Sequence, residues 1–267
     1  MGPTRQLADF VAHATFEHLP AEVVRECKRC VLNYLGVALG ACRHEAVAIL
    51  TDAAREMGGL PQATILGSRL KTSVVQAAMV NGAMSHVLDY DDTDLETVIH
   101  PTGPVLSAAL PLAEWRGLSG RQLITGFAVG AEVELRVGSA VYPAHYDVGW
   151  HITGTAGVFG AAAAAGWLLG LDSDRLSHAL GLAGTQASGL REMFGSMAKC
   201  LHVGAAASNG LWSALLAGRG FTASTRVLEA RRGFCAVTAA QYDLSRATDR
   251  LGSASFASAT AVPLCIT

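Results

Sequence analysis

Residues 85–104 read SHVLDYDDTDLETVIHPTGP, a polar stretch between two long segments that are mostly apolar. Two His, four Asp and one Glu fall within it. Burying that much charge is costly unless the groups are paired, hydrogen-bonded or used in chemistry. We therefore interpret the stretch as the end of one helix, a polar loop and the start of another helix, and as the chemical centre of the protein.

On both sides of this stretch the apolar residues recur at helical spacing, and the alternation typical of strands is almost absent. Capping residues or a proline mark the predicted helix starts. The predicted helices are 6–17, 20–40, 45–57, one from Thr72 or Ser73 into the polar stretch, one from Pro104, then 119–141, 153–170, 172–187, 201–218 and a short one capped by Thr222 or Ser224. The pattern predicts an all-α domain with buried Ala/Gly-rich helices over residues 1–241, one short extended piece at 63–67, and a poorly patterned tail at 242–267.

Composition argues against several classes of protein. The chain is 51% hydrophobic and 16% charged, so a sizeable core is expected. A net charge of −2, with Lys and Arg spread along the chain, argues against a nucleic-acid partner and against a basic membrane anchor. No segment has the length and apolarity of a confident membrane span. Six cysteines without a preceding signal peptide predict a reducing, cytoplasmic setting.

Two short patterns are assigned no chemistry. Cys27 and Cys30 form a C-x-x-C spacing, but it lies inside an amphipathic helical pattern, so we interpret both as helix-face residues. Gly154, Gly157 and Gly160 do not fit G-x-G-x-x-G, and no strand precedes them. A dinucleotide cofactor is therefore not predicted.

The acidic cluster itself allows three interpretations. The run Asp91, Asp92, Asp94 and Glu96 is similar to the aspartate-rich Mg²⁺ box of all-α isoprenoid enzymes. Alternatively, the cluster belongs to an acid/base and hydrogen-bonding site for a small carboxylate. On a helix, Asp89 and Thr93 would be four residues apart and share a face. The third interpretation is a capped, solvated helix end without chemistry.

Three polar junctions between loops and helices favour the carboxylate interpretation. His100 precedes a proline-flanked helix start, and His151 stands at the start of another helix. Lys199 and His202 lie three residues apart at a third, and Lys is rare in this chain. Helix N-termini attract anions, and His suits proton transfer near neutral pH. Each junction could also be purely structural, but together they predict one pocket that faces an anionic substrate.

The same residues carry a resemblance to a known family. The segments NGAMSHVLDYDDT (81–93), HPTGP (100–104), GWH (149–151) and MAKCLHVGAAA (197–207) occur in the order found in the helical domain of the MmgE/PrpD family. That family includes 2-methylcitrate dehydratase, cis-aconitate decarboxylase and related epimerases. The resemblance covers about residues 7–234.

The resemblance implies a site, a chemistry and an assembly. The positions that match its active site are Asp89, Thr93, His100, His151 and Lys199. It implies turnover of di- or tricarboxylates without metal or organic cofactor, and a homodimer packed through the helical domain. It also implies a second, smaller α/β lid domain after the helical one. This sequence does not contain that domain, so we expect half of a site and impaired activity.

The resulting prediction is a cofactor-free lyase for a small polycarboxylate. His100 and His151 are predicted to transfer protons, and Asp89 to act beside them. Thr93, Lys199 and His202 are predicted to bind the substrate, while Asp91, Asp92, Asp94 and Glu96 are expected to be mainly structural or solvated. The alternatives are a non-catalytic dimeric helical-domain remnant and an isomerase or epimerase.

Overall fold

The computed structural model describes residues 1–251, and the predicted tail beyond them, 252–267, lies outside the described residues. Eleven α-helices follow one another along the described chain. They are α1 (Pro3–His13), α2 (Ala21–Ala41), α3 (Glu45–Met57), α4 (Val74–His86), α5 (Thr102–Arg116), α6 (Gly120–Val141), α7 (Ala144–Asp147), α8 (Ile152–Leu168), α9 (Ser173–Gly184), α10 (Ala198–Ala217) and α11 (Phe234–Thr238). Strands β1 (Ala63–Thr64) and β2 (Lys71–Thr72) form an antiparallel pair, Ala63 opposite Thr72. The all-α prediction is confirmed.

Helix α8 forms the centre of the domain. All its residues from Ile152 to Gly166 are buried, and α5, α6, α9 and α10 pack around it. A helix that is apolar on every side must be enclosed by others. Its Ala and Gly side chains allow the neighbouring backbones to approach closely. Helix α8 is therefore a rigid support for the residues at its N-terminus.

Helices α4 and α10 cross at two glycines. A Cβ on Gly204 would lie 2.3 Å from the backbone oxygen of Met79, and a Cβ on Gly82 would lie 2.8 Å from the Cα of Gly204. Such distances leave no room for a side chain at either of these two positions. The contact brings the C-terminal end of α4 close to the N-terminal end of α10.

Several predicted helix boundaries agree with the structure. Ser73 and Asp172 cap α4 and α9, and Ser119 forms a capping box with Gln122 at the start of α6. Three helices begin two or three residues earlier than predicted, α1 at Pro3, α5 at Thr102 and α10 at Ala198, and α1 also ends earlier, at His13. The loop between α6 and α8 also contains the short helix α7.

Two local predictions are wrong. Helix α4 ends at His86, and Asp89 has a left-handed φ of 53°, so Asp89 and Thr93 do not share a helix face. Short polar side chains such as Asp tolerate this conformation better than most. The segment from Thr225 to Glu229 forms turns and no helix, and the next helix is α11, which follows Gly233.

Part of the predicted tail packs on the domain. A 3₁₀ turn covers Leu244–Ala247, and Ala247 is fully buried. The backbone N–H of Asp243 donates to the carbonyl oxygen of Ala140 at 2.8 Å, and the Arg136 side chain donates to the carbonyl oxygen of Asp249 at 2.7 Å. Residues 243–249 therefore follow the surface of α6. Within residues 1–251, no helix combines the length and hydropathy required to cross a bilayer.

Candidate active site

The three polar junctions meet at one cleft of about 270 Å³. Its walls come from three places: the loop after α4, the residue that precedes α8, and the segment that leads into α10. The lining residues are Asp89, Asp91, Thr93, Val98, His100, Tyr146, His151, Phe194 and Lys199. Five of the six predicted site residues line the cleft, and the sixth, His202, contacts it through His151.

His100 is held through one of its ring nitrogens. Its Nδ1 lies 3.2 Å from the Thr93 hydroxyl and 3.5 Å from Oδ1 of Asp91. Its backbone N–H donates to the Thr153 hydroxyl at 3.2 Å, which ties the loop to the first turn of α8. Burial would lower the pKa of His100, but the nearby Asp91 carboxylate outweighs burial and raises it above 6.5.

Asp91 lies between two histidines. Its Oδ2 is 2.8 Å from Nδ1 of His86, and only 4% of the residue is exposed. Burial would raise the pKa of Asp91, yet the nearby imidazoles of His86 and His100, with the hydrogen bond to His86, hold it well below its usual range. The expectation that Asp91 is mainly structural or solvated stays a prediction; the structure shows Asp91 buried beside His100, a predicted proton-transfer residue.

His151 lies in a different electrostatic environment from His100. Its Nδ1 is 3.0 Å from Nδ1 of His202, and its ring packs edge-on against Phe194. Burial, with the neighbouring His86, His202 and Lys199, lowers the pKa of His151 to about 2. His151 is therefore neutral at physiological pH, and one of the two facing nitrogens donates to the other.

Lys199 is paired in the cleft. Its Nζ lies 2.5 Å from Oδ1 of Asp89 and 5.3 Å from the centre of the Phe194 ring. Its side chain is 19% exposed, whereas that of Asp89 is 58% exposed. Asp89 therefore stands at the mouth of the cleft, and an entering anion would compete with it for the ammonium group.

The remaining acids of the loop do not converge on one point. The Thr102 hydroxyl donates to Asp92, the Thr97 hydroxyl and N–H donate to Asp94, and Glu96 is exposed. Burial raises the pKa of Asp92 to about 7. These contacts agree with a structural role for Asp92 and Asp94 and with solvation of Glu96. They do not support the Mg²⁺-box interpretation.

One group of side chains has the composition of a metal site. His86, Asp89, Asp91 and His100 each offer a ligand atom, and these atoms lie within 4.8 Å of one another. Within the described chain, His86 and His100 contact Asp91, and Asp89 contacts Lys199. These contacts within the protein account for the arrangement of the group.

Sequence reasoning missed His86. Its imidazole is fully buried, packs edge-on against His100 at 4.8 Å between ring centres, and stacks on His151 at 5.7 Å. The signal was available, because His86 is one of only two histidines in the polar stretch. Phe194 and Tyr146 also line the cleft, but an aromatic residue in a turn or a short helix carries no comparable signal.

Comparison with known proteins identifies relatives of this chain. A family model described as the MmgE/PrpD N-terminal domain matches residues 5–247. Cis-aconitate decarboxylase of Aspergillus terreus is 31% identical over 239 residues, which are 87% of this chain and 49% of that protein. The human protein of the same name is 32% identical over 223 residues, 81% of this chain and 46% of its own. The mouse protein of the same name is 30% identical over 238 residues, which are 86% of this chain and 48% of the mouse protein. The chain thus spans about half the length of the curated relatives it matches.

Proposed function

Because the chain belongs to the MmgE/PrpD family, we propose that it carries the proton-transfer residues of a lyase site for a small di- or tricarboxylate. The observation that supports this proposal most directly is the convergence of Lys199, His100 and His151 on one cleft. A cation and two imidazoles of different basicity match what an anionic substrate that gains or loses a proton requires.

Lys199 is the proposed carboxylate-binding group. Its ammonium nitrogen offers three donors, of which Asp89 takes one in the structure. Thr93 and the polar edge of His100 lie on the same cleft wall. A substrate with two or three carboxylates would therefore meet charge and hydrogen bonds at separate points of the cleft.

The two histidines are proposed to have opposite roles. Asp91 favours the protonated form of His100, so His100 is suited to act as the proton donor. Burial, with Lys199 and other imidazoles nearby, lowers the pKa of His151 and keeps it neutral, so His151 suits a proton acceptor or a neutral hydrogen-bond donor. Groups whose environments separate their pKa values are typical of acid and base partners.

Several reactions need this arrangement. In a decarboxylation, the carbon–carbon bond to a carboxylate breaks, CO₂ leaves, and the electron pair left on carbon takes a proton from an acid. In a dehydration, a base removes a proton from carbon and an acid protonates the departing hydroxide. An isomerase or epimerase would return the proton to the substrate. Since the named relatives are cis-aconitate decarboxylases, cis-aconitate is the first substrate to test.

The test is turnover of cis-aconitate and 2-methylcitrate by the full chain, followed by proton NMR of the mixture and by CO₂ release. We expect conversion that His100→Asn abolishes. The matched control is His13→Asn, because His13 is exposed on α1 and does not line the cleft. Unchanged kcat/KM in His100→Asn would contradict the proposal.

A non-catalytic dimeric domain is the second candidate. The loop residues Leu88 and Tyr90 border a surface groove with α2, and Leu32 and Leu39 on α2 are 73% and 52% exposed. Exposed apolar area of this kind is typical of protein contacts. Sedimentation separates the candidates: a dimer that binds a carboxylate without turnover supports the second, and a monomer that turns substrate over contradicts it.

A further inference from the structure

The contacts of Asp91 connect two histidines that have unequal access to substrate. His100 lines the cleft, whereas the His86 side chain is 0% exposed and does not line it. Asp91 faces His86 with Oδ2 at 2.8 Å and His100 with Oδ1 at 3.5 Å. One buried carboxylate thus joins a buried imidazole to one at the cleft.

We infer that His86 and Asp91 are a positioning pair, which holds the His100 ring so that Nδ1 carries a proton toward Asp91 and Thr93 and Nε2 is left for the substrate. The inference rests on the proposed function only for the role of His100 in proton transfer. The orientation and the tautomer of the ring can be measured without any turnover.

The hydrogen bonds of Thr93 support this tautomer. Its hydroxyl lies 3.4 Å from the backbone carbonyl oxygen of Asp91, which only accepts, so this oxygen offers the hydroxyl proton a direction away from His100. The oxygen of the same hydroxyl is then an acceptor for His100 Nδ1 at 3.2 Å. The Asp91 carboxylate only accepts and the Thr93 oxygen can accept, so both neighbours of Nδ1 favour a proton on that nitrogen.

His86 holds the Asp91 carboxylate in the orientation that positions the His100 ring. Two other imidazoles hold its ring in place: His100 packs against it edge-on, and His151 stacks on it. With the ring immobilised, the bond from Nδ1 to Oδ2 prevents Asp91 from rotating and presents Oδ1 to His100. The 3.5 Å separation at His100 is longer than a hydrogen bond, and catalytic contacts often shorten only when substrate binds.

The experiment is a long-range ¹H–¹⁵N correlation spectrum of the imidazoles, recorded for the full chain and its variants. In the wild type we expect neutral His100 to be the Nδ1–H tautomer. Asp91→Asn should populate the Nε2–H tautomer, and it should lower kcat about 100-fold with KM within about threefold, because positioning acts on the proton-transfer step. The control is Asp94→Asn, a buried acid of the same loop that contacts Thr97 and no histidine, and it should leave the tautomer unchanged.

Variants of His86 test the other half of the pair and serve if Asp91→Asn does not fold. His86→Ala should mix the His100 tautomers, and His86→Asn, whose amide can donate to Asp91 from a similar position, should restore Nδ1–H. An unchanged His100 tautomer in both Asp91→Asn and His86→Ala would overturn the inference. If the spectra change as expected but no carboxylate is turned over by the wild type, the positioning pair stands and the proposed function fails.

Discussion

The ammonium nitrogen of Lys199 lies 2.5 Å from Oδ1 of Asp89, although 110 residues separate the two along the chain. The pair closes one side of the cleft. Lys199 is the cation within the cleft, and the side chain of its partner, Asp89, is more than half exposed. An exposed partner of this kind gives up its ion pair at low cost, because solvent already weakens the attraction. The pair is thus suited to exchange Asp89 for a carboxylate of the substrate.

Replacing Lys199 by Met should weaken the binding of a tricarboxylate about 10- to 100-fold, because a charged hydrogen bond in a partly buried site contributes roughly 1.5–3 kcal/mol. Isothermal titration calorimetry with citrate or cis-aconitate measures this. The control is Lys71→Met, since Lys71 pairs with Glu114 away from the cleft and its loss should leave binding unchanged.

Replacing Asp89 by Asn should have the opposite effect on binding. The variant removes a like charge from the mouth of the cleft and releases Lys199, so the Kd for the same carboxylates should fall severalfold. Weaker binding in Asp89→Asn would show that Asp89 contacts the substrate favourably instead of competing with it.

The pH dependence of turnover should follow His100. A proton donor whose pKa is raised keeps its proton to higher pH than an ordinary His, so kcat should decrease only as the pH rises above 6.5 through that raised pKa. Asp91→Asn removes the charge that raises the pKa of His100 and should move this decrease to lower pH. His151 adds no step between pH 5 and 8, since its pKa is lowered to about 2.

The buried carboxyl group of Glu134 should make the protein less stable as the pH rises. Glu134 is fully buried, and neither carboxylate oxygen has a hydrogen-bond partner within the described residues. Burial, with Asp92 nearby, raises the pKa of Glu134 well above 4.5. A carboxyl whose folded-state pKa is raised contributes its full stability below its unfolded pKa and loses it as the pH rises through the folded one.

Glu134→Gln should therefore flatten the loss of Tm between pH 5 and pH 9 that the wild type shows. Each pKa unit of displacement corresponds to about 1.4 kcal/mol, or about 2–4 °C in Tm for a domain of this size. Thermal melts over that pH range measure the slope. The control is Glu132→Gln, which breaks the 2.6 Å ion pair with Arg136 and should lower the Tm across the range without flattening it.

The crossing of α4 and α10 should not tolerate a methyl group. Gly204→Ala should cost about 1–3 kcal/mol in the free energy of unfolding, because its Cβ would overlap the backbone of α4. Chemical denaturation measures the loss. Gly36→Ala in α2 is the matched control, since no atom of residues 1–251 lies within 4 Å of its added Cβ. This control should stabilise the protein by up to about 1 kcal/mol through helix propensity; equal losses in both variants would contradict the close crossing.

Much of the fold and of the site could be predicted from the sequence. Ser73, Ser119 and Asp172 were identified as helix caps because a cap is a local hydrogen bond to the next turn. His100, His151 and Lys199 were found because polar residues stand out at the ends of apolar helices. The helical interpretation of Asp89 was wrong, because nothing within a few residues of it signals a left-handed turn.

Local signals in the sequence place the helices, predict an all-α domain and identify the loops whose polar residues line the cleft, since periodicity and capping act within a few residues. Which polar groups meet depends on how the helices pack. The Gly82–Gly204 crossing brings the end of α4 to the start of α10, and the turn after His86 buries Asp91 between two imidazoles. These partners depend on packing between helices that are distant along the chain. As a result, the pairs Lys199–Asp89 and His86–Asp91, and the opposite pKa directions of His100 and His151, could be found only in the folded protein.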